Sequence, residues 1–496
     1  MGNLVGALVL DAIARHPSAI AFREHDRALT FAEAGERIAR LANALRAVSP
    51  DSGRCVGILL ANRIEYAEAD LAIALAGKVR APVNPRLADE ERAYALGNVA
   101  AETLITEAAE LERVAALLPD LPDLRRVLVV DAESALPDIA IGYEAALAGA
   151  SLQPPRVDVD DEAPSVVRHT SGTTGRPKGA VISARARIAA MRHSMAEEHL
   201  PQPDDCFLHA SPMGHASGDK VLTFFHRGAA NAFVPRFDAA RFAADVTELG
   251  VTATFLVPTM LRMLLHESVG ELGLRNLTYG GSPIDHETRT AAVERFGPVL
   301  TQIYGTTETP HPVLILGHEE HLLPEAAEAT GRPAQGVDVR LGDAGELWIR
   351  GPNVMSGYWN DPAATAEALV DGWYRSGDVG RALPGGWIAV VDRLKDLIIT
   401  GGLNVYPAEV EAALLRHPAV AEAAVYGVED PLWGEIVAAA VVLVPGAMVT
   451  ADELAAHCEG LLAGYKKPRR IEFRDSLPKG ATGKILKRAL FPDGPQ

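Results

Sequence analysis

His169-Thr-Ser-Gly-Thr-Thr-Gly-Arg-Pro-Lys-Gly179 follows closely on the apolar pair Val166-Val167. Glycines let a backbone approach an anion, hydroxyls donate hydrogen bonds, and Lys178 adds positive charge, which together are the ingredients of a phosphate cradle. A Walker A loop is excluded, because Pro177 stands where that pattern needs Gly-Lys-Ser/Thr, four residues after Gly172. An apolar strand running into a glycine- and hydroxyl-rich loop is a feature of an α/β sheet with an anion site at its edge.

The segments around this loop agree with that reading. Phe31 to Leu45 has the apolar spacing of an amphipathic helix capped by Thr30. Val56-Gly-Ile-Leu-Leu and Arg126-Val-Leu-Val-Val read as buried strands, and Gln153 to Pro164 as a connector. Strand and helix patterns alternate to about residue 310, as in a layered parallel sheet. From about 331 the texture changes to short strands and glycine turns, such as Asp371-Gly372 and Gly385-Gly386. After Asp392-Arg-Leu-Lys a compact α/β unit follows, with Pro407 opening a helix that Pro418 ends. The expected fold class is therefore α/β. A large N-terminal domain of layered sheets spans 1–392, with a small β-barrel-like subdomain at about 331–392, and a small α+β C-terminal domain spans 393–496.

Composition bounds the function. With 496 residues the chain is too long for one core. The formal net charge of −18 opposes binding to a polyanion, so nucleic acid is excluded as a general partner, while a small anion on a local basic cluster is not. Cys55, Cys206 and Cys458 show no metal-binding spacing and suit a reduced, cytoplasmic protein. The start, Met1 to Pro17, carries Asp11 inside its apolar run and reads as an amphipathic helix rather than a leader. The apolar run from Val437 to Leu443 is too short to span a bilayer, so no membrane insertion is expected.

Seven further motifs follow the loop in order. They are Gly280-Gly-Ser-Pro283, Tyr304-Gly-Thr-Thr-Glu308, Gly345-Glu-Leu-Trp-Ile-Arg-Gly351, Gly372-Trp-Tyr-Arg-Ser-Gly-Asp378, Asp392-Arg-Leu-Lys-Asp396, Gly401-Gly-Leu-Asn-Val-Tyr-Pro-Ala-Glu-Val-Glu411 and Pro478-Lys-Gly-Ala-Thr-Gly-Lys484. With the loop, they make the chain resemble the adenylate-forming superfamily over nearly its whole length. That superfamily includes acyl-CoA and aryl-CoA ligases, firefly luciferases and peptide-synthetase adenylation domains.

The resemblance implies ATP, Mg²⁺ and CoA as co-substrates and cofactor, with Thr170, Glu308 and Lys484 as the catalytic side chains. Glu308 ends a threonine-rich turn and is the metal carboxylate. The nucleotide site is implied to comprise Thr170, Ser171, Gly172, Thr173, Thr174, Gly175, Lys178, Gly280, Gly281, Ser282, Tyr304, Gly305, Thr306 and Thr307. Asp378 is implied to hold the ribose hydroxyls, and Arg393 to lie near the ribose and α-phosphate. A Lys484 ammonium aimed at the charge of the departing pyrophosphate stabilises the transition state more than the ground state. Lys395 occupies the hinge at 393–395, about which the mobile C-terminal domain swings between half-reactions. Gly401, Gly402, Trp433, Tyr465, Lys467 and Arg469 resemble CoA-contacting positions.

The acid pocket is where the pattern departs from relatives. His215 in Ser211-Pro-Met-Gly-His-Ala-Ser-Gly218 is the candidate pocket wall. Ala216 stands where amino-acid-activating relatives carry Asp, which disfavours an α-amino acid. Asp219 and Lys220 follow, in the first turn of a helix expected to be capped by Ser217 with Lys220 facing solvent. They, and His311 in Thr309-Pro-His-Pro312, disfavour a long apolar acid. His169 replaces a common Tyr, and Ala184 a common His.

The expected reaction is acid activation as an acyl adenylate with pyrophosphate release, then thioester formation on CoA with AMP release. Two alternatives stay open: adenylation of another oxyacid such as nitrite for diazotisation of an aromatic amine, and stand-alone adenylation serving a carrier protein. A homodimer stays open as well. A non-catalytic nucleotide binder is disfavoured, because Glu308, Asp378, Lys395 and Lys484 are all present.

Overall fold

The computed structural model describes residues 2–132, 136–170, 177–267, 270–459, 461–480 and 485–490. The chain divides into two compact units. The larger comprises Met1–Val339 and Ile349–Tyr374, the smaller Arg340–Trp348 and Arg375–Gln496.

The larger unit contains two extended sheets. The eight-stranded one has Pro164–His169 between Gly179–Ser183 and Val79–Pro82, and continues through Cys55–Leu59, Thr103–Glu107 and Arg126–Val130. Most neighbours are parallel, but Pro164–His169 and Gly179–Ser183 pair antiparallel, with His169 opposite Gly179. The anion loop is thus the turn of a hairpin. In the nine-stranded sheet, Cys206–His209, Ala253–Leu256, Asn276–Gly280 and Leu300–Tyr304 run parallel in that order.

Helices cover these sheets, so the central strands are buried on both faces. Cys55–Leu59 and Asn276–Gly280 are buried at every residue. The expected helix is Phe31–Val48, and Thr30 and Glu33 form a complete capping box at its start. Its Phe31 packs on Phe225, with ring centroids 4.6 Å apart, inside a cluster that includes Phe22 and Phe233. Burying each such ring contributes about 1.5–3 kcal/mol. The N-terminal segment is the helix Leu4–Arg15, capped by Asn3.

The smaller unit has its own core, built on the long hairpin Val420–Asp430 and Gly434–Leu443 with the helices Pro407–Leu415 and Ala451–Glu459. Arg470–Phe473 joins that sheet parallel to Gly434–Leu443. A second hairpin pairs Trp373–Leu383 with Trp387–Arg393 and sets Asp378 opposite Arg393. The three cysteines are buried and free.

Candidate active site

The neck of the anion loop is closed by its own backbone. The Thr170 N–H donates to the Lys178 carbonyl at 2.9 Å, and the Lys178 N–H donates to Thr170 Oγ1 at 3.4 Å. A Cβ on Gly179 would stand 2.8 Å from Val167 Cγ1, so glycine is required beside the strand. Ser171, Gly172, Thr173, Thr174 and Gly175 lie outside the described residues, as does Lys484. Burial holds the His169 imidazole down to about 4, and its Nε2 is 3.0 Å from Asn98 Oδ1. It is therefore neutral at pH 7 and adds no charge to the cradle.

Glu308 meets this loop through a residue that the motif analysis did not single out. Gly357–Tyr358 pairs with Gly179–Ser183, and the Trp359 N–H donates to the Gly179 carbonyl at 2.7 Å. That register places the Lys178 ammonium 5.2 Å from the Tyr358 ring centre, in cation–π contact. The Tyr358 hydroxyl donates to Glu308 Oε1 at 2.9 Å. Burial and the Glu308 charge both push the Tyr358 phenol well above its ordinary range. Tyr374 joins the network through hydrogen bonds to Tyr358 and Thr306, and burial followed by the same carboxylate raises its phenol too. Glu308 itself closes a tight turn, in which Thr306 Oγ1 and Thr309 Oγ1 are 3.0 Å apart. Among the described residues no cation pairs with Glu308.

Gly280 and Tyr304 end adjacent strands. Gly280 lies opposite Ile303, and a Cβ there would collide with the Ile303 carbonyl. Gly281 has φ +84°, the left-handed region, which turns the chain after the strand into Ser282. Gly305 is also sterically required, since a Cβ would stand 2.9 Å from both the His311 Cα and the Thr309 carbonyl. Thr307 sits between these residues in the turn, half-buried.

The acid-pocket candidates converge, but not as expected. The helix is Ala216–His226, with His215 at its N-cap and no side-chain cap bond. Ser217 does not cap it; its hydroxyl is 2.9 Å from the Nδ1 of the buried His209. Lys220 does not face solvent. Only 2% exposed, it donates to both Glu198 oxygens, at 2.6 and 2.7 Å, and to Ser194 Oγ at 2.8 Å. The i to i+4 geometry of this helix turns Lys220 toward the Ser194–Glu198 turn, and three acceptors there replace its water. Burial alone would raise the Glu198 carboxyl, but the Lys220 ammonium overrides it and holds it down to about 2.

Asp219 accepts from Arg168 Nη2 at 2.6 Å and Nη1 at 3.2 Å, and from Arg80 Nη2 at 3.3 Å. Against the raising effect of burial, these two guanidiniums keep its carboxyl well below the usual range. Arg80 and Arg187 share Asp70, at 3.0 and 2.7 Å. His311 lies beside the group, 3.7 Å from Glu198 and 3.9 Å from Asp219. Arg80, Arg168, Arg187, Asp70 and Glu198 were not among the candidates from sequence. The available signal was arginine inside otherwise apolar strands, in Val79-Arg-Ala-Pro and Val166-Val-Arg.

The remaining candidates belong to the smaller unit. Asp378, 4% exposed, pairs with Arg393 at 2.5 Å across the hairpin. The adjacent Asp392 accepts the Arg393 and Ala408 N–H groups, both at 2.8 Å, which ties residues 392–393 to the start of the helix Pro407–Leu415. Lys395 sits in the short turn Leu394–Asp396. Gly401, at φ +56°, donates its N–H to the Trp433 carbonyl at 2.8 Å. Arg469 lies 4.4 Å over the Trp433 ring, so the fold brings Gly401, Trp433 and Arg469 together, with Gly402 in the same turn. Lys467 is paired with Glu459, and Tyr465 is half-exposed beside Lys466.

A hairpin joining Pro164–His169 to Gly179–Ser183, Glu308 held beside Lys178 through Tyr358, and a separate unit carrying an Asp–Arg pair are parts of an adenylate-forming enzyme fold. Residues 9–359 match the family model for AMP-binding enzymes, and residues 409–484 match the model for the AMP-binding enzyme C-terminal domain. The chain belongs to the AMP-binding enzyme family. It is 38% identical to a feruloyl-CoA synthase of an Amycolatopsis species, over 95% of each chain. It is 36% identical to an indoleacetate–CoA ligase of Aromatoleum aromaticum, over 95% of this chain and 94% of that one. Among solved structures it resembles the o-succinylbenzoate CoA synthetase MenE from Bacillus subtilis in complex with its acyl-adenylate intermediate, with a TM-score of 0.87 and 30% identity over 100% of this chain and 99% of that chain. No helix among the described residues is long and apolar enough to cross a membrane.

Proposed function

We propose that this enzyme is an ATP-dependent, AMP-forming acid–CoA ligase, and that Lys178, Tyr358 and Glu308 form the part of its site that orders the triphosphate. The observation that carries this is the continuous contact from the loop lysine through the Tyr358 ring and hydroxyl to Glu308.

In the first half-reaction a carboxylate oxygen attacks the α-phosphorus. The bond from that phosphorus to the bridging oxygen breaks, and pyrophosphate leaves. The Lys178 ammonium orients the phosphates, and Lys484 meets the charge that gathers on the leaving group. Glu308 fits Mg²⁺: one oxygen is held by a neutral hydroxyl, and no described cation competes for the other. Bound there, the ion neutralises phosphate charge. Asp378 and Arg393 hold the ribose.

In the second half-reaction the CoA thiol loses its proton and its sulfur attacks the acyl carbonyl. The carbonyl–phosphate ester bond breaks and AMP leaves. Gly401, Gly402, Trp433 and Arg469 line the approach of the pantetheine and nucleotide portions of CoA, after a swing of the C-terminal domain about 393–395. The relatives' names support an aryl acid with CoA as acceptor. Three free, buried thiols support a reducing, cytoplasmic setting.

The test is pyrophosphate release from ATP with a panel of acids, with and without CoA, and mass detection of the thioester. CoA-dependent thioester is the expected product. Turnover that needs nitrite plus an arylamine and ignores CoA would overturn the reading. A stable adenylate that never transfers to CoA would move the acceptor to a carrier protein.

A further inference from the structure

Between the strand Pro164–His169 and the helix Ala216–His226 lies a cavity whose polar wall includes Arg168, Arg187, Asp219, Lys220 and His311, and whose apolar wall includes Met191 and Leu222. Its position follows from chain connectivity. Arg168 is two residues before Thr170, Asp219 is four after His215, and His311 is three after Glu308. The cavity wall is thus built from residues that follow or precede three candidate site residues in the chain.

The charges around it do not balance. Lys220 and Glu198 form a closed pair with every ammonium proton accepted. The remaining guanidiniums, Arg80, Arg168 and Arg187, share only Asp70 and Asp219. One positive charge is left without a counter-ion among the described residues. Arg80 and Arg168 have side chains 1% and 7% exposed, so water does not offset it. The donors are also incompletely used. Arg168 Nε, Arg80 Nε and both His311 ring nitrogens have no hydrogen-bond partner, and the buried Tyr66 hydroxyl beside Arg80 has none either.

We propose that the acid activated by this enzyme carries a second anionic group, a carboxylate in the simplest case, which enters this cavity and supplies the missing counter-charge. A neutral tail would leave the guanidinium excess buried and uncompensated, so the pocket discriminates against it. Met191 and Leu222 then contact the spacer between the two acid groups. The proposal rests on the acid-activating reading above and adds the substrate class to it.

The experiment compares short aliphatic and benzene dicarboxylic acids with their monomethyl esters on the full-length protein. Pyrophosphate release gives kcat/KM, and titration calorimetry gives binding independently of turnover. Charge-assisted hydrogen bonds at a buried site predict a preference of about 10- to 100-fold for the free diacid in both measurements. Arg168→Gln brings that ratio close to one, and Arg187→Gln serves the same purpose if the first variant does not fold. Equal or better binding of the monoesters overturns the proposal, whatever the turnover. A diacid preference in binding with no turnover upholds the charge argument and sinks the ligase reading instead.

Discussion

Lys220→Met is the sharpest test of whether the buried charges are structural. In the native chain the Lys220 ammonium, 3% exposed at its side chain, is accepted by Glu198 at 2.6 and 2.7 Å and by Ser194 at 2.8 Å. Removing it leaves the Glu198 carboxylate buried without its ammonium partner, with His311 Nδ1 3.7 Å away. Breaking one side of such a pair costs about 3–5 kcal/mol, whereas replacing both partners with groups of similar volume is often close to neutral. Lys220→Met and Glu198→Gln should each lose about 3–5 kcal/mol, and the double variant far less than their sum, a coupling of about 2–4 kcal/mol. The assay is urea unfolding read by hydrogen exchange of peptides from the larger unit, which separates it from the smaller one. The native pair also has a pH signature. Because the Glu198 carboxyl is held down to about 2, below its ordinary 4.5, its contribution is complete above about pH 4.5 and is lost as pH falls toward 2. The loss amounts to about 3 kcal/mol and is absent in Glu198→Gln. Single variants within about 0.5 kcal/mol of wild type, or strict additivity, would refute the reasoning.

Tyr358→Phe keeps the ring under Lys178 but deletes the hydroxyl that donates to Glu308. A hydrogen bond to a charged group is worth about 1.5–3 kcal/mol when buried, and Tyr358 is half-exposed, so kcat/KM for ATP should fall about tenfold, with a matching rise in the Mg²⁺ concentration at half-maximal rate. An unchanged Mg²⁺ dependence in steady-state pyrophosphate release would remove Tyr358 from the site. Lys484→Met should abolish adenylation, by at least about 100-fold, yet still convert preformed acyl adenylate plus CoA to thioester. Equal loss of both half-reactions in single-turnover assays would contradict a role confined to the first.

The architecture was legible in the sequence because its signals are local. Thr30 with Glu33 caps a helix wherever that helix packs, and Arg126–Val130 is a strand by composition alone. Gly280 and Gly305 were legible for a related reason, since each answers to a backbone crowd that only a missing Cβ relieves. What escaped notice depends on pairing between distant segments. Tyr358 reaches Glu308 only because its two-residue strand adds to Gly179–Ser183, and nothing in Gly357-Tyr358 announces that partner. Lys220 reads as a solvent-facing residue in a first helical turn, and only the approach of Glu198 makes its burial tolerable. Ser217 fits the residue preference of an N-cap, yet the N-cap lies two residues earlier, at His215, and the Ser217 hydroxyl goes to His209.

These distant pairings bear on how the two substrates are coupled. Arg168 belongs to the strand that ends at the anion loop, and its guanidinium is fastened to Asp219 on the helix that starts after His215. The strand that leads into the glycine-rich loop and the helix Ala216–His226 are therefore joined by one ion pair. A water-filled gap there would let either element shift by a fraction of an ångström, and near-attack geometry does not tolerate that. A buried pair has two well-separated states, formed and broken, so it transmits position stiffly. Altering Asp219 to admit a different acid would thus also loosen the root of the phosphate loop, raising the KM for ATP together with that for the acid. Met191 and Leu222 line the same cavity, and neither takes part in that ion pair. Changes there should move acid preference while leaving ATP binding in place, which makes the apolar wall the evolvable side of this pocket and the charged wall its fixed one.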